Sequence, residues 1–95
     1  MLTSVYLSGL LDEVKGKNVR LVAVQSPLAR PGSKPRIDLI PVYCPLGPST
    51  LFFRATKGTF VIVKGRLERN EELGLYVYSE IEEIVNLKKE SEAAV

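Results

Sequence analysis

The side chains that most often do chemistry in enzymes are nearly absent from this sequence. It contains no histidine and a single cysteine, Cys44, which leaves neither an imidazole base nor a thiolate metal cluster. Acidic residues come as neighbours, in Glu71–Glu72 and Glu82–Glu83, and neighbours along a strand point to opposite faces. Such pairs are expected to be solvated charges, because paired-carboxylate catalysis needs two carboxyl groups facing one substrate. The sequence therefore predicts a protein that is not an enzyme, with no catalytic residue, no metal site and no cofactor.

The basic residues are concentrated in one part of the chain. Residues 15–69 carry 11 lysines and arginines against 2 acids, whereas residues 70–95 carry 2 against 7, within a net charge of +2. A positive surface attracts phosphates, and aromatic rings can cover unpaired bases. Long charged side chains are also the ordinary solvated surface of a small domain. Charge alone leaves both interpretations open.

Length and composition predict one compact domain. The chain has 95 residues, of which 45% are apolar and 25% charged, and this is an ordinary globular balance. We expect the domain to cover residues 1–88 and a short polar tail to cover residues 89–95. The longest apolar run, residues 39–46, is too short to span a bilayer, and no targeting segment is visible. A cytoplasmic protein without membrane contact is expected.

Alternating apolar residues predict five strands and one short helix. Gly9, in the middle of the first strand, indicates a bulge or a sharp bend. Ser49 or Thr50 is suited to cap the helix, and Gly58 to end it. The predicted strands cover residues 4–11, 18–24, 36–44, 59–68 and 73–87, and the helix lies within residues 47–58. A helix between the third and fourth strands predicts an all-β OB-fold, a five-stranded Greek-key barrel.

Strand alternation assigns side chains to the two faces of the barrel wall. The residues predicted to face inward in the last two strands are Val61, Val63, Leu67, Leu75 and Val77. Tyr76 and Tyr78 then lie on the outward face, and Tyr43 faces outward from the third strand. These tyrosines would offer a platform on which bases stack. The alternative is that they pack at a subunit interface or at the margin of the core.

Several of these stretches resemble the bacterial single-stranded DNA-binding protein family. The segment "KGTFVIVKGRLE" is similar to the family's common K-G-S-x-V-x-V-E-G-R-L, and "SVYLSGLL", "IDLIPVYC" and "GLYVYSEIEEIVNL" resemble three other strands. The resemblance spans most of residues 4–87. The chain lacks the tryptophans on which the family usually stacks bases, and its end "KKESEAAV" lacks the family's glycine-rich linker and acidic tip. In this it also resembles the tailless branch of primosomal replication protein N.

The resemblance implies an OB-fold that self-associates as a homodimer or homotetramer and binds single-stranded DNA non-specifically, with RNA also possible, in replication, recombination or repair. Its nucleic-acid-binding residues are predicted to be Arg30, Lys34, Arg36, Tyr43, Lys64, Arg66, Arg69, Tyr76 and Tyr78. The first three would form a cationic flap in the loop between the second and third strands. An oligomer interface is predicted on the outward face of the first strand, at Tyr6, Ser8 and Leu10.

A second function stays open beside DNA binding. Three tyrosines form a smaller stacking surface than the family's tryptophans would. The protein would then be an OB-fold accessory protein of the replication-restart machinery, which contacts replication or primosome proteins and binds nucleic acid weakly.

Overall fold

A computed structural model describes residues 4–25, 32 and 36–85 of the chain. The five strands are β1 (Val5–Val14), β2 (Val19–Gln25), β3 (Ile37–Tyr43), β4 (Phe60–Asn70) and β5 (Gly74–Val85). A 3-10 turn (Gly47–Ser49) and the one-turn helix α1 (Leu51–Arg54) lie between β3 and β4. The strands close into a barrel in the order β1-β2-β3-β5-β4. This architecture confirms the predicted OB-fold. No helix in the described parts of the chain is long and apolar enough to cross a membrane.

The first strand pairs with two different neighbours, one along each half. Residues 5–10 of β1 pair with β4, whereas β1 pairs with β2 from Leu10 onward. The change of partner falls next to Gly9, where an added Cβ would collide with the carbonyl oxygen of Ala23. A glycine permits this close approach of two backbones. The β1–β4 register runs through Gly9 without a shift, so no bulge lies there, and the bend stays a prediction.

A β-bulge changes the inward-facing set of residues in β5. Gly65 of β4 pairs with Ser79, but the preceding Lys64 pairs with Ile81, so that Glu80 is an extra residue. A Cβ at Gly65 would collide with the carbonyl oxygen of Tyr78, so glycine is needed where the strands come together. Before the bulge the odd-numbered residues of β5, such as Val77, face the core. After it the even-numbered residues, such as Glu82 and Ile84, face the core. The strand continues to Val85 in spite of this irregularity.

The core lies inside the barrel and is closed at one end by α1. Its buried residues are Leu11, Val22, Val42, Cys44, Phe52, Val61, Val63 and Val77. The inward positions predicted for Val61, Val63 and Val77 are confirmed. The prediction was wrong for Leu67 and Leu75, which are 44% and 61% exposed. Leu75 lies beyond Val77, the last residue at that end of β5 to pair with β3. Leu67 pairs with Val77 but lies two residues beyond Gly65, the last residue at that end of β4 to pair with β1.

Helix α1 is shorter than the range 47–58 predicted for it. The Thr50 hydroxyl caps α1 by accepting a hydrogen bond from the backbone N–H of Phe53, as predicted. The helix ends at Arg54, with Ala55 as its C-cap, so the expected end at Gly58 is wrong. Of its apolar residues, Phe52 is buried. It therefore supplies the side chain that closes the barrel end.

A buried arginine connects β2 to this helix. Arg20 is 5% exposed, and its guanidinium donates hydrogen bonds to the carbonyl oxygens of Asp12, Phe52, Phe53 and Ala55, at 2.7–3.1 Å. Burial lowers the pKa of Arg20, while nearby Glu13 and Asp12 act in the opposite direction. Arginine stays charged under these conditions. One of the cations counted toward a positive surface is thus part of the interior.

Candidate nucleic-acid interface

Three tyrosines converge on the outward face of the barrel where β3 meets β5. The two strands run parallel there, which places Tyr43 beside Tyr78. Their rings are stacked, with centroids 5.5 Å apart and planes 25° apart. Tyr76 meets Tyr43 edge to face, with centroids 6.3 Å apart. We call Tyr43, Tyr76 and Tyr78 the tyrosine cluster. All three side chains are half-buried, so the cluster is held by the barrel wall.

Arg66 extends the tyrosine cluster onto β4. It is the pairing partner of Tyr78, and its guanidinium carbon lies 4.5 Å from the centroid of that ring. β5 lies between β3 and β4 in the barrel, so Arg66 and Tyr43 approach Tyr78 from opposite sides. Tyr78 is therefore enclosed between a cation and a second ring. The arrangement combines a fixed positive charge with aromatic surface, as proteins that bind single strands do.

Lys64 belongs to a different neighbourhood. It pairs with Tyr6 of β1 on one side and with Ile81 of β5 on the other. Its ammonium nitrogen lies 5.9 Å from the centroid of the Tyr6 ring. The outward face of β4 thus carries two cation–aromatic pairs in succession, Lys64 with Tyr6 and Arg66 with Tyr78. The second pair alone is part of the tyrosine cluster.

The other predicted binding residues are not brought to the tyrosine cluster. Arg69 is exposed in the hairpin and lies an odd number of residues from Arg66, on the opposite face of β4. Arg36 precedes β3, roughly 23 Å from Tyr43 along an extended strand at 3.3 Å per residue. It forms an exposed ion pair with Asp38 at 3.0 Å. Arg30 and Lys34 lie outside the described residues, and so does most of the predicted flap.

The predicted oligomer interface lies on an exposed part of β1. Tyr6 is 72% exposed, and Ser8 and Leu10 are exposed as well. One edge of residues 5–9 pairs with β4, and no strand pairs with the other edge within the described chain. Beside it lies an apolar groove of about 380 Å³. The groove is lined by Ser8, Gly9, Leu10, Ala23, Gln25, Ile37 and Phe60.

Cys44 and Glu82 meet at the end of the barrel that α1 closes. The buried Cys44 thiol donates a hydrogen bond of 2.7 Å to Oε1 of Glu82. Burial raises the pKa of Cys44, and the hydrogen bond to Glu82 raises it further. The expectation that Glu82 is a fully solvated charge was wrong, because it is half-buried. The bulge at Glu80 is the cause, since it turns Glu82 toward the same face as Val77.

Sequence reasoning missed a carboxylate that lies beside the tyrosine cluster. Oε1 of Glu68 lies 3.2 Å from Nε of Arg66, and Glu68 is the pairing partner of Tyr76. Opposite charges two residues apart on a predicted strand share a face, so the signal was present in the sequence. It was overlooked because Glu68 was counted only toward the net charge.

No protein-family model and no curated protein matches this chain.

Proposed function

We propose that this OB-fold barrel binds single-stranded DNA without sequence preference, with the outward faces of β3, β5 and β4 as the binding surface. The observation that carries the proposal is the tyrosine cluster with Arg66 stacked on it. Unpaired bases of any sequence have faces that aromatic rings can cover, and phosphates follow those bases at regular intervals. A surface that offers both contacts suits DNA exposed during replication, recombination or repair, and single-stranded RNA shares the same chemistry.

The residues of the cluster have different roles in this proposal. Tyr78 has a ring on one side and a guanidinium on the other, so it supports the cluster and holds Arg66 in place. Tyr43 and Tyr76 supply the remaining aromatic surface for bases. Arg66 binds a phosphate, and Lys64 binds the next part of the backbone along β4. These side chains trace a path for the DNA strand across the barrel, from β3 toward β1.

An accessory role through protein contacts is the second candidate function. The observation in its favour is a set of exposed aliphatic side chains on the outward faces of β1 and β3, at Leu10, Ile37 and Leu39. Aliphatic side chains stack poorly on bases but are common where proteins meet. In this candidate the tyrosine cluster adds weak nucleic-acid binding to a surface that contacts a replication or primosome protein.

Fluorescence anisotropy with a labelled oligo-dT strand at two salt concentrations tests the proposal. We expect saturable binding that weakens with salt, by about 0.7 in the log–log slope for each phosphate neutralised. A labelled duplex of the same length is the control, and it should bind more weakly because its bases are already stacked on one another. Absence of oligo-dT binding at low salt, or equal binding of the duplex, would favour the accessory role.

Self-association through β1 is a separate expectation of the proposal. The open edge of residues 5–9 and the exposed Tyr6 and Leu10 suit pairing with β1 of a second copy. Sedimentation should show a homodimer or homotetramer of the 10.5 kDa chain at micromolar concentration. Leu10→Lys should shift it toward monomer, whereas Leu51→Lys, on the exposed side of α1, should not. A wild-type protein that sediments as a monomer contradicts this expectation.

A further inference from the structure

Glu68 lies where the proposed DNA backbone would have to pass. On the outward face of β4 it follows Arg66 by two residues, and across the ladder these two face Tyr76 and Tyr78. The Arg66 and Glu68 side chains are 47% and 40% exposed, so solvent and ligand can reach their ion pair. A carboxylate therefore stands directly beside the aromatic surface to which bases are proposed to bind.

A carboxylate and a phosphate compete for the same donors of a guanidinium. Both present oxygen atoms with negative charge, and both accept hydrogen bonds from the planar N–H groups of arginine. In the structure Nε of Arg66 lies 3.2 Å from Oε1 of Glu68. A phosphate that takes this Nε must displace the carboxylate. Once displaced, the carboxylate still lies close to the backbone and repels it.

Arg66 does not depend on Glu68 for its position. Its guanidinium carbon lies 4.5 Å from the centroid of the Tyr78 ring, on the side of that ring opposite Tyr43. The guanidinium carbon lies over the ring, and the Nε that is now beside Glu68 can donate to another anion. Exchange of a carboxylate for a phosphate therefore requires movement of Glu68 alone, while Arg66 stays stacked.

We propose that Glu68 is an intramolecular competitor of DNA phosphate, which occupies Arg66 in the free protein and lowers the affinity of the site for single strands. This inference rests on the proposed function and concerns the regulation of the same site. Glu68 acts through Arg66 and does not itself hold the ligand. Single strands bind only when the phosphates offered to Arg66 outcompete the carboxylate, which discriminates against isolated anions and favours polyanions that make several contacts at once.

Glu68→Gln tests the inference in the oligo-dT titration. The variant is expected to bind roughly two- to fivefold more tightly than wild type, the scale of one exposed charge pair. Its log–log salt slope is expected to stay nearly the same, since Arg66 neutralises one phosphate in the complexes of both proteins. Glu72→Gln is the matched control, because it makes the same charge change at an exposed position in the turn of the same hairpin. It should not change the affinity by a comparable amount.

A double-variant cycle with Arg66→Gln separates competition from simple repulsion. Without Arg66, Glu68→Gln should give a smaller gain in affinity than it gives with Arg66 present, and a gain of the same size in both backgrounds would overturn the inference. Unchanged or weaker binding by Glu68→Gln alone would overturn it too, while wild-type binding of oligo-dT would leave the proposed function standing. If neither wild type nor Glu68→Gln binds oligo-dT at low salt, both the inference and the proposed function fail.

Discussion

Replacement of Tyr43, Tyr76 and Tyr78 together by leucine is expected to weaken oligo-dT binding by roughly 30-fold or more, because each stacked base contributes about 1–3 kcal/mol and at least two ring surfaces are lost. The barrel should remain folded. The three side chains are half-buried on the outer face, and leucine keeps most of the apolar area that they cover. Titration of the labelled strand measures the loss, and circular dichroism checks the fold.

Single substitutions should divide the effect between the three positions. Tyr43→Leu and Tyr76→Leu remove surface proposed to contact bases directly. Tyr78→Leu removes the support of Arg66, so it should lower the salt slope as well as the affinity. Leu51→Ala, at an exposed side chain of α1 outside the cluster, is the control and should leave binding almost unchanged. Full-strength binding by the triple variant, or dissociation of its oligomer, would place the tyrosine cluster at a protein interface instead.

Arg20→Met is expected to destabilise the fold by about 3 kcal/mol, because four carbonyl oxygens would lose a charged donor in a largely dry environment. Methionine fills most of the space of the arginine stem but donates no hydrogen bond. For a domain of this size the midpoint of thermal unfolding falls by roughly 4–8 °C per kcal/mol. Urea unfolding followed by circular dichroism measures the free energy directly.

Arg54→Met is the matched control for this effect. Arg54 is exposed at the end of α1 and forms no ion pair within residues 4–25 and 36–85, so its loss should change stability by less than about 0.5 kcal/mol. Arg20→Lys keeps the charge but cannot reach several carbonyls with one ammonium, and should fall between the two. Equal stability of Arg20→Met and Arg54→Met would show that the carbonyl contacts contribute nothing.

Local alternation in the sequence was sufficient for the strands and for much of the core. Val61 and Val63 lie in an uninterrupted stretch of β4, so counting by twos identifies their face correctly. The same counting failed for Leu67 and Leu75, because alternation shows which face a residue occupies but not how far the other strands extend. The hairpin of β4 and β5 projects past its neighbours, and an inward-facing residue there is exposed.

The functional face depended on contacts that are distant in sequence. Parity placed Tyr43, Tyr76 and Tyr78 on the outward side of their own strands, but their meeting requires β3 and β5 to pair, and that pairing follows from closure of the barrel. Glu82 illustrates the opposite case, since the extra residue Glu80 is invisible in the alternation and reverses every side chain after it. Arg20 was counted as a surface charge because β2 has apolar residues on both faces, which hides its register.

The tyrosine cluster stands over the shortest junction of the barrel. β3 and β5 are neighbours only at Val42 with Val77 and at Tyr43 with Tyr78, whereas β4 and β5 pair along the whole hairpin. Separation of β3 from β5 is therefore the least costly way for this wall to open, and amide hydrogen exchange should be fastest along that line. A strand of DNA stacked across Tyr43 and Tyr76 would contact both β3 and β5. A ligand on the outside of the barrel would therefore stabilise the pairing of these two strands.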